Sequence, residues 1–178
     1  MAERITPFYE AALECTLQCD AEAVLWGANY DQDLTWPSFF SDQITPWLQH
    51  ASERLHSAGK VMFTHCDGEN DALTELLLES GADVAESICP APMTKLGLAK
   101  LRGRWGTTVA ICGGIPSVAL LPDVFDDDAY RQFMDATFAE LGSGSSLILG
   151  VADMVPAEED LCRLEDIGRR IEAFGPVG

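Results

Sequence analysis

The octapeptide FTHCDGEN, residues 63–70, brings a histidine, a cysteine, an aspartate and a glutamate into positions 65–69. Imidazole, thiol and carboxylate are the side chains that ligate metal ions or move protons near neutral pH. An apolar run, Val61-Met62-Phe63, leads into them, as a buried strand leads into a functional loop. In extended chain, residues i and i+2 face the same way. His65 and Asp67 then share a face, and Cys66 points away from both. A site built on His65 with Asp67 is more natural than one built on His65 with Cys66.

Five more residues are candidates. Glu86 interrupts the apolar stretch DVAESI, where a carboxylate needs a partner unless it faces solvent. Asp31 and Asp153 follow the apolar runs AEAVLWGAN and SSLILGV. Gly113-Gly114 ends a fourth run and would let a ligand approach the backbone closely. Each has a plainer alternative. Asp67 suits an Asx-turn before Gly68, Asp31 ordinary turn chemistry, Asp153 a loop or cap, and the glycine pair a tight turn. Cys89 and Cys112 read first as packed thiols, as do Cys15 and Cys19, four apart on one helix. His50 and His56 lie on a helix surface.

These residues must be positioned by an alternation of strands and helices. Strands are expected at 21–29, 60–65, 83–88, 107–114 and 145–151, and helices at about 7–18, 42–59, 70–80, 94–102, 126–141 and 157–174. The helical stripes are Ile44, Trp47, Leu48, Ala51 and Leu55; Tyr130, Phe133, Met134, Thr137, Phe138 and Leu141; and Leu161, Leu164, Ile171 and Phe174. Short, continuous apolar strands are those of a parallel α/β sheet buried on both faces. A barrel or a doubly wound sheet follows, and in either the strands' C-terminal ends carry the active site. Asp31, His65, Asp67, Cys89, Gly113, Gly114 and Asp153 all fall at such ends.

The 178 residues suit one domain over 1–178, and 47% hydrophobic content supports a core. With 11 Lys+Arg against 29 Asp+Glu, the net charge is −18. Nucleic-acid phosphates and anionic membranes would repel such a chain, so neither is expected as a partner. The opening MAERITPFYEAAL carries acids and lacks the apolar centre of a signal peptide. Six scattered cysteines without a CxxC pair then read as reduced thiols, and a cytoplasmic location is expected.

From Ala21 to Phe174 the pattern resembles the C-terminal half of the uroporphyrinogen decarboxylase superfamily, which also contains zinc-dependent, corrinoid-linked methyltransferases. WGANYDQDLTWPSFFSDQITPW resembles the family segment with a strand-end aspartate and a proline-opened helix. VMFTHCDGEN resembles its H-x-C-G strand end, and LLLESGADVAESICPAPMT its G-(A/V)-D segment with a Pro-containing loop. TTVAICGGIPSVALL and SLILGVADMVPAEEDLCRLEDI resemble its last two strand ends. The resemblance implies a partial (β/α)8 TIM barrel of about five parallel strands with flanking helices. The family barrel's N-terminal half, with the arginines and aspartate that hold substrate in the decarboxylases, has no counterpart here.

In the methyltransferases zinc is held by the His and Cys of H-x-C-G and by a later Cys. His65 matches the histidine, Asp67 stands at the first cysteine, and Ala152, with Asp153 beside it, at the second. The resemblance thus implies a divalent metal, zinc or a harder cation, on His65, Asp67 and Asp153. Asp31, His65 and Glu86 are the expected catalytic groups, and Gly113 and Gly114 the expected cofactor-binding ones. The implied activity is metal-assisted methyl transfer to or from a small molecule, linked to a corrinoid (cobamide) carried by a partner protein. Porphyrinogen decarboxylation is the alternative, but it needs cations to hold several carboxylates, and Lys95 with Arg102 and Arg104 is the nearest cluster. A third expectation is a non-catalytic half-barrel, completed as a homo-oligomer or by a complementing chain, because open sheet edges invite pairing.

Overall fold

The computed structural model describes residues 2–175. Five strands form one parallel sheet: β1 (Ala23–Leu25), β2 (Val61–His65), β3 (Val84–Ile88), β4 (Ala110–Ile115) and β5 (Leu147–Val151). Their spatial order is their chain order. A doubly wound sheet reverses direction at a switch point; this one never does. With crossovers of the usual right hand, every connecting helix falls on one face. The fold is therefore a barrel-like α/β sheet of five strands, with β1 and β5 as unpaired edges.

Among the described residues, seven α-helices connect and flank the strands: α1 (Ala2–Gln18), α2 (Pro37–Phe39), α3 (Thr45–Ser57), α4 (Thr74–Glu79), α5 (Leu98–Trp105), α6 (Asp127–Glu140) and α7 (Leu161–Phe174). The core lies between the sheet and this helical layer. Val24, Met62, Ala85 and Ile111 meet Leu48, Leu55, Leu77, Leu101 and Trp105 there, all buried. The Trp105 indole donates to the Thr74 carbonyl at 2.9 Å, which ties α5 to α4. One residue out of register, the other face of the sheet is uncovered toward both edges, while Val84 at its centre is buried. Leu25, Val61 and Ile148 are 61%, 41% and 50% exposed.

Element boundaries shift where proline and glycine intervene. Pro46 has no N–H to donate, and the chain before it widens into a π-turn, Phe40–Ile44, with Thr45 N donating to Phe40 O. After β3, Pro90 and Pro92 keep the chain irregular, and extended Gly97 sets the start of α5 at Leu98, later than 94.

One helix, α7, departs from its apolar stripe, and α1 turns its cysteines outward. In α7 the inward residues are Arg163 and Ile167, with Ile171 of the expected stripe packed beside them, while Leu161, Leu164 and Phe174 are 60%, 39% and 38% exposed. The Arg163 guanidinium donates to Ala119 O and to Asp127 and lies 4.8 Å from the Tyr130 ring centroid, which fixes that rotation. In α1, Leu13 enters the core, and Cys15, two residues and about 200° further round, is exposed, as is Cys19. The expectation of two buried thiols there is corrected. Among the described residues, no helix is long and apolar enough to cross a membrane.

Candidate functional site

His65 is the last residue of β2, and Asp67 stands two positions beyond. They share a face, with His65 Nε2 3.7 Å from Asp67 Oδ2. Cys66 turns into the core, where its thiol donates to Thr64 O at 3.6 Å. Burial drives that thiol well above its ordinary pKa, and the charges of Glu86 and Asp67 push the same way. Cys66 is thereby removed from the chemistry.

Glu86 lies beside His65 because β2 and β3 pair His65 with Glu86. Its carboxylate meets His65 Nδ1 at 2.5 Å. This is the partner that an acid in an apolar strand requires. The Nδ1 nitrogen is thus engaged by Glu86, and Nε2 is on the side of Asp67. A histidine whose second nitrogen is held by a carboxylate is oriented as metal-ligating histidines are. Asn29, from the segment after β1, donates to Asp67 Oδ2 at 3.2 Å.

Asp153 follows β5, at the other end of the sheet. Its backbone is left-handed, φ +56°, a conformation that aspartate adopts more readily than most residues. His65, Asp67 and Asp153 each offer one ligand atom, and these atoms lie within 4.8 Å of one another. In a flat sheet β2 and β5 would be three strand spacings apart, about 14 Å. Curl of the sheet and side-chain reach close that distance over the ends of β3 and β4.

Asp31 and the glycines occupy different positions. The Asp31 carboxylate accepts from Asp33 N at 2.8 Å and from Glu69 N at 3.0 Å. It braces the segments after β1 and β2 against each other and is not one of the converging ligand atoms. Gly113 and Gly114 have φ of +123° and +90°. A Cβ on Gly113 would lie 2.7 Å from Ile88 O, and one on Gly114 would lie 3.2 Å from a Leu149 methyl. Protein atoms already fill both vacancies.

Further residues complete the setting. Asn29, at the end of the first apolar run, supports Asp67. Arg102 bonds to the carbonyls of Leu141 and Ser145, and Arg104 to Asp71, so these two arginines are committed to structural contacts. Among the described residues, no lysine or arginine pairs with Asp67, Glu86 or Asp153. An apolar groove lined by Phe138, Leu141, Leu147, Leu149, Ile171 and Phe174 runs along the β5 edge, away from His65 and without a titratable lining group.

No family model matches the chain, and no curated protein does. Among solved structures, its fold is similar to that of a methyltransferase from Methanosarcina mazei, with a TM-score of 0.64 and 16% sequence identity. The likeness covers 93% of this chain and 46% of that one, so the chain spans about half the length of the protein it matches. At this identity the likeness is one of fold.

Proposed function

We propose that the chain is a metal-assisted methyl-transfer protein of the uroporphyrinogen decarboxylase type, with a divalent cation on His65, Asp67 and Asp153. The observation that carries this reading is the convergence of those three donors from β2 and β5 at the strands' C-terminal ends. The fit rests on the donors themselves. An oriented imidazole and two carboxylates that lack a lysine or arginine partner form a set suited to zinc or a harder divalent ion. The shared fold with a methyltransferase supports the reaction class. Arg102 and Arg104 are engaged elsewhere, which makes decarboxylation of a polycarboxylate the poorer fit.

Such an ion supplies Lewis acidity toward a methyl donor or acceptor. The chain's own groups do the rest. Glu86 holds the proton on His65 Nδ1 and fixes the ring. Asn29 fixes Asp67, and Asp31 holds the two segments in register. A small-molecule substrate enters over the strand ends, and a corrinoid protein is the partner proposed for the methyl group.

A second reading is favoured by the partly bare sheet face and the unpaired edges β1 and β5: a half-barrel completed by a second copy or by another chain.

Elemental analysis of the purified protein beside His65→Ala tests the first. About one divalent ion per chain in the wild type and none in the folded variant is expected. Equal metal in both, or none in either after reconstitution, would refute it. Sedimentation tests the second, and a monodisperse, cooperatively unfolding monomer would refute it.

A further inference from the structure

We propose that Ser87 is a positioning residue for the His65–Glu86 pair. Its left-handed backbone makes a bulge in β3 that keeps Glu86 on the face of His65 while Ile88 returns to the core. The inference rests on the reading of His65 as an oriented ligand, and it can fail while the metal centre stands.

The register carries it first. Toward β2, strand β3 is regular: Phe63 pairs with Val84, Thr64 with Ala85 and His65 with Glu86, and Cys66 N donates to Glu86 O at 2.8 Å. Toward β4 it is not. Ala85 pairs with Ile111, and the next pair is Ile88 with Gly113. Three steps along β3 are matched by two along β4, so β3 carries one extra residue between Ala85 and Ile88. That is a bulge, a device that re-aims a side chain beside a site. Ser87 has φ +64° there, a conformation that residues other than glycine, asparagine and aspartate seldom adopt.

Side-chain parity carries it further. In an unbroken strand, residues i and i+3 face opposite ways. Ala85 and Ile88 nevertheless enter the same core cluster, 1% and 3% exposed. A straightened β3 would set two needs against each other. With Ile88 in the core, Glu86, two residues before it, would face the core as well and leave His65. With Glu86 kept beside His65, Ile88 would leave the core. The extra residue meets both needs.

Two contacts seat the bulge. Gly113 brings the β4 backbone so close that a Cβ on it would stand 2.7 Å from Ile88 O and 2.9 Å from Ile88 N. The Ser87 amide donates to the Cys112 sulfur, a weak acceptor. The Ser87 hydroxyl is buried and makes no hydrogen bond among the described residues. What Ser87 contributes is therefore its backbone conformation, with a side chain small enough to be enclosed.

Two substitutions in the full chain separate backbone from side chain. Ser87→Gly removes the hydroxyl and favours the left-handed conformation. Ser87→Thr keeps the hydroxyl and, being β-branched, opposes that conformation. One readout is the downfield ring N–H proton of His65 held by Glu86, assigned by its absence in His65→Ala. The other is Co2+ affinity, measured by chelator competition. Ser87→Gly is expected to keep both the resonance and the wild-type affinity. Ser87→Thr is expected to lose the resonance and to bind Co2+ about 10- to 100-fold more weakly, as loss of an outer-sphere carboxylate does. Because both changes act through one contact, Ser87→Thr/Glu86→Gln should bind no more weakly than Glu86→Gln alone. Retention of the resonance in folded Ser87→Thr, its loss in Ser87→Gly, or additive losses in the double variant would overturn the assignment. A wild type without the resonance would overturn the pair and this inference with it. If Ser87→Thr does not fold, Ser87→Gly decides alone, since a role for the hydroxyl predicts loss there. If the wild type takes up no Co2+, the metal reading falls, and the resonance in the two variants still decides the role of Ser87.

Discussion

Replacement of Gly113 by alanine tests whether that glycine serves the sheet or a ligand. At φ +123° the backbone lies where L-residues rarely go, and the new Cβ would stand 2.7 Å from Ile88 O and 2.9 Å from Ile88 N. Both contacts are backbone of the neighbouring strand, where Ile88 pairs with Gly113, so neither can turn aside. Backbone strain of this kind costs about 1–3 kcal/mol, and overpacking adds about 1–3 kcal/mol. A central value near 4 kcal/mol would be a large fraction of a typical stability of about 5–15 kcal/mol. With a urea slope of about 2 kcal/mol per molar, the unfolding midpoint should fall by about 2 M. The assay is urea unfolding followed by the fluorescence of the 4 tryptophans. Gly142→Ala is the control: its φ is +59°, and a Cβ there would meet nothing within 4 Å. Only the left-handed conformation counts against it, about 1–2 kcal/mol. Equal midpoint shifts in the two variants would refute the close-approach account. A Gly113→Ala protein of normal stability that has lost a ligand would instead make this glycine part of a binding surface.

Two further perturbations probe the site and the fold. Glu86→Gln keeps the shape of the group that holds His65 Nδ1 and should weaken Co2+ binding about 10- to 100-fold, as loss of an outer-sphere carboxylate does. Chelator competition measures this, and unchanged affinity would mean that Glu86 does not orient the ring. Asp71 is held below the usual carboxylate range by its hydrogen bond from Lys100, joined by that from Arg104. Its contribution is then fully present above the unfolded value, about 3.9, and is lost as pH falls through the lower folded value. The melting-temperature deficit of Asp71→Asn should shrink below about pH 4, and a deficit of the same size in acid as at neutrality would contradict the assignment.

What could be read from the sequence was local. His65 and Asp67 share a face because strand periodicity needs only two residues to act. The acid in DVAESI called for a partner, but that His65 is the partner depends on the β2–β3 register, which no single segment contains. Asp153 was legible as a strand-end acid, but its pairing with His65 came from resemblance alone, since that approach depends on a sheet curled across two intervening strands. The helical stripe of α7 told that it has an apolar side without telling which of its residues are covered. In α1, Ile5, Phe8 and Tyr9 are exposed while Leu13 is buried. In α7 a buried arginine took the inward position. The strand order, which separates a barrel segment from a doubly wound sheet, is likewise a property of the assembled layers.

The donors at His65 and Asp153 are 88 residues apart in the chain (153 − 65) and belong to strands separated by two others. An ion that joins them acts as a strap across an open arch. Its affinity depends on how tightly the arch is bent, and by reciprocity the bound ion resists flattening. Occupancy at a hundredfold excess over Kd would add about 2.7 kcal/mol to the folded state. Any chain that covers the partly bare face and fixes its curvature would shift the same equilibrium, so that assembly and ion uptake become two readings of one mechanical variable.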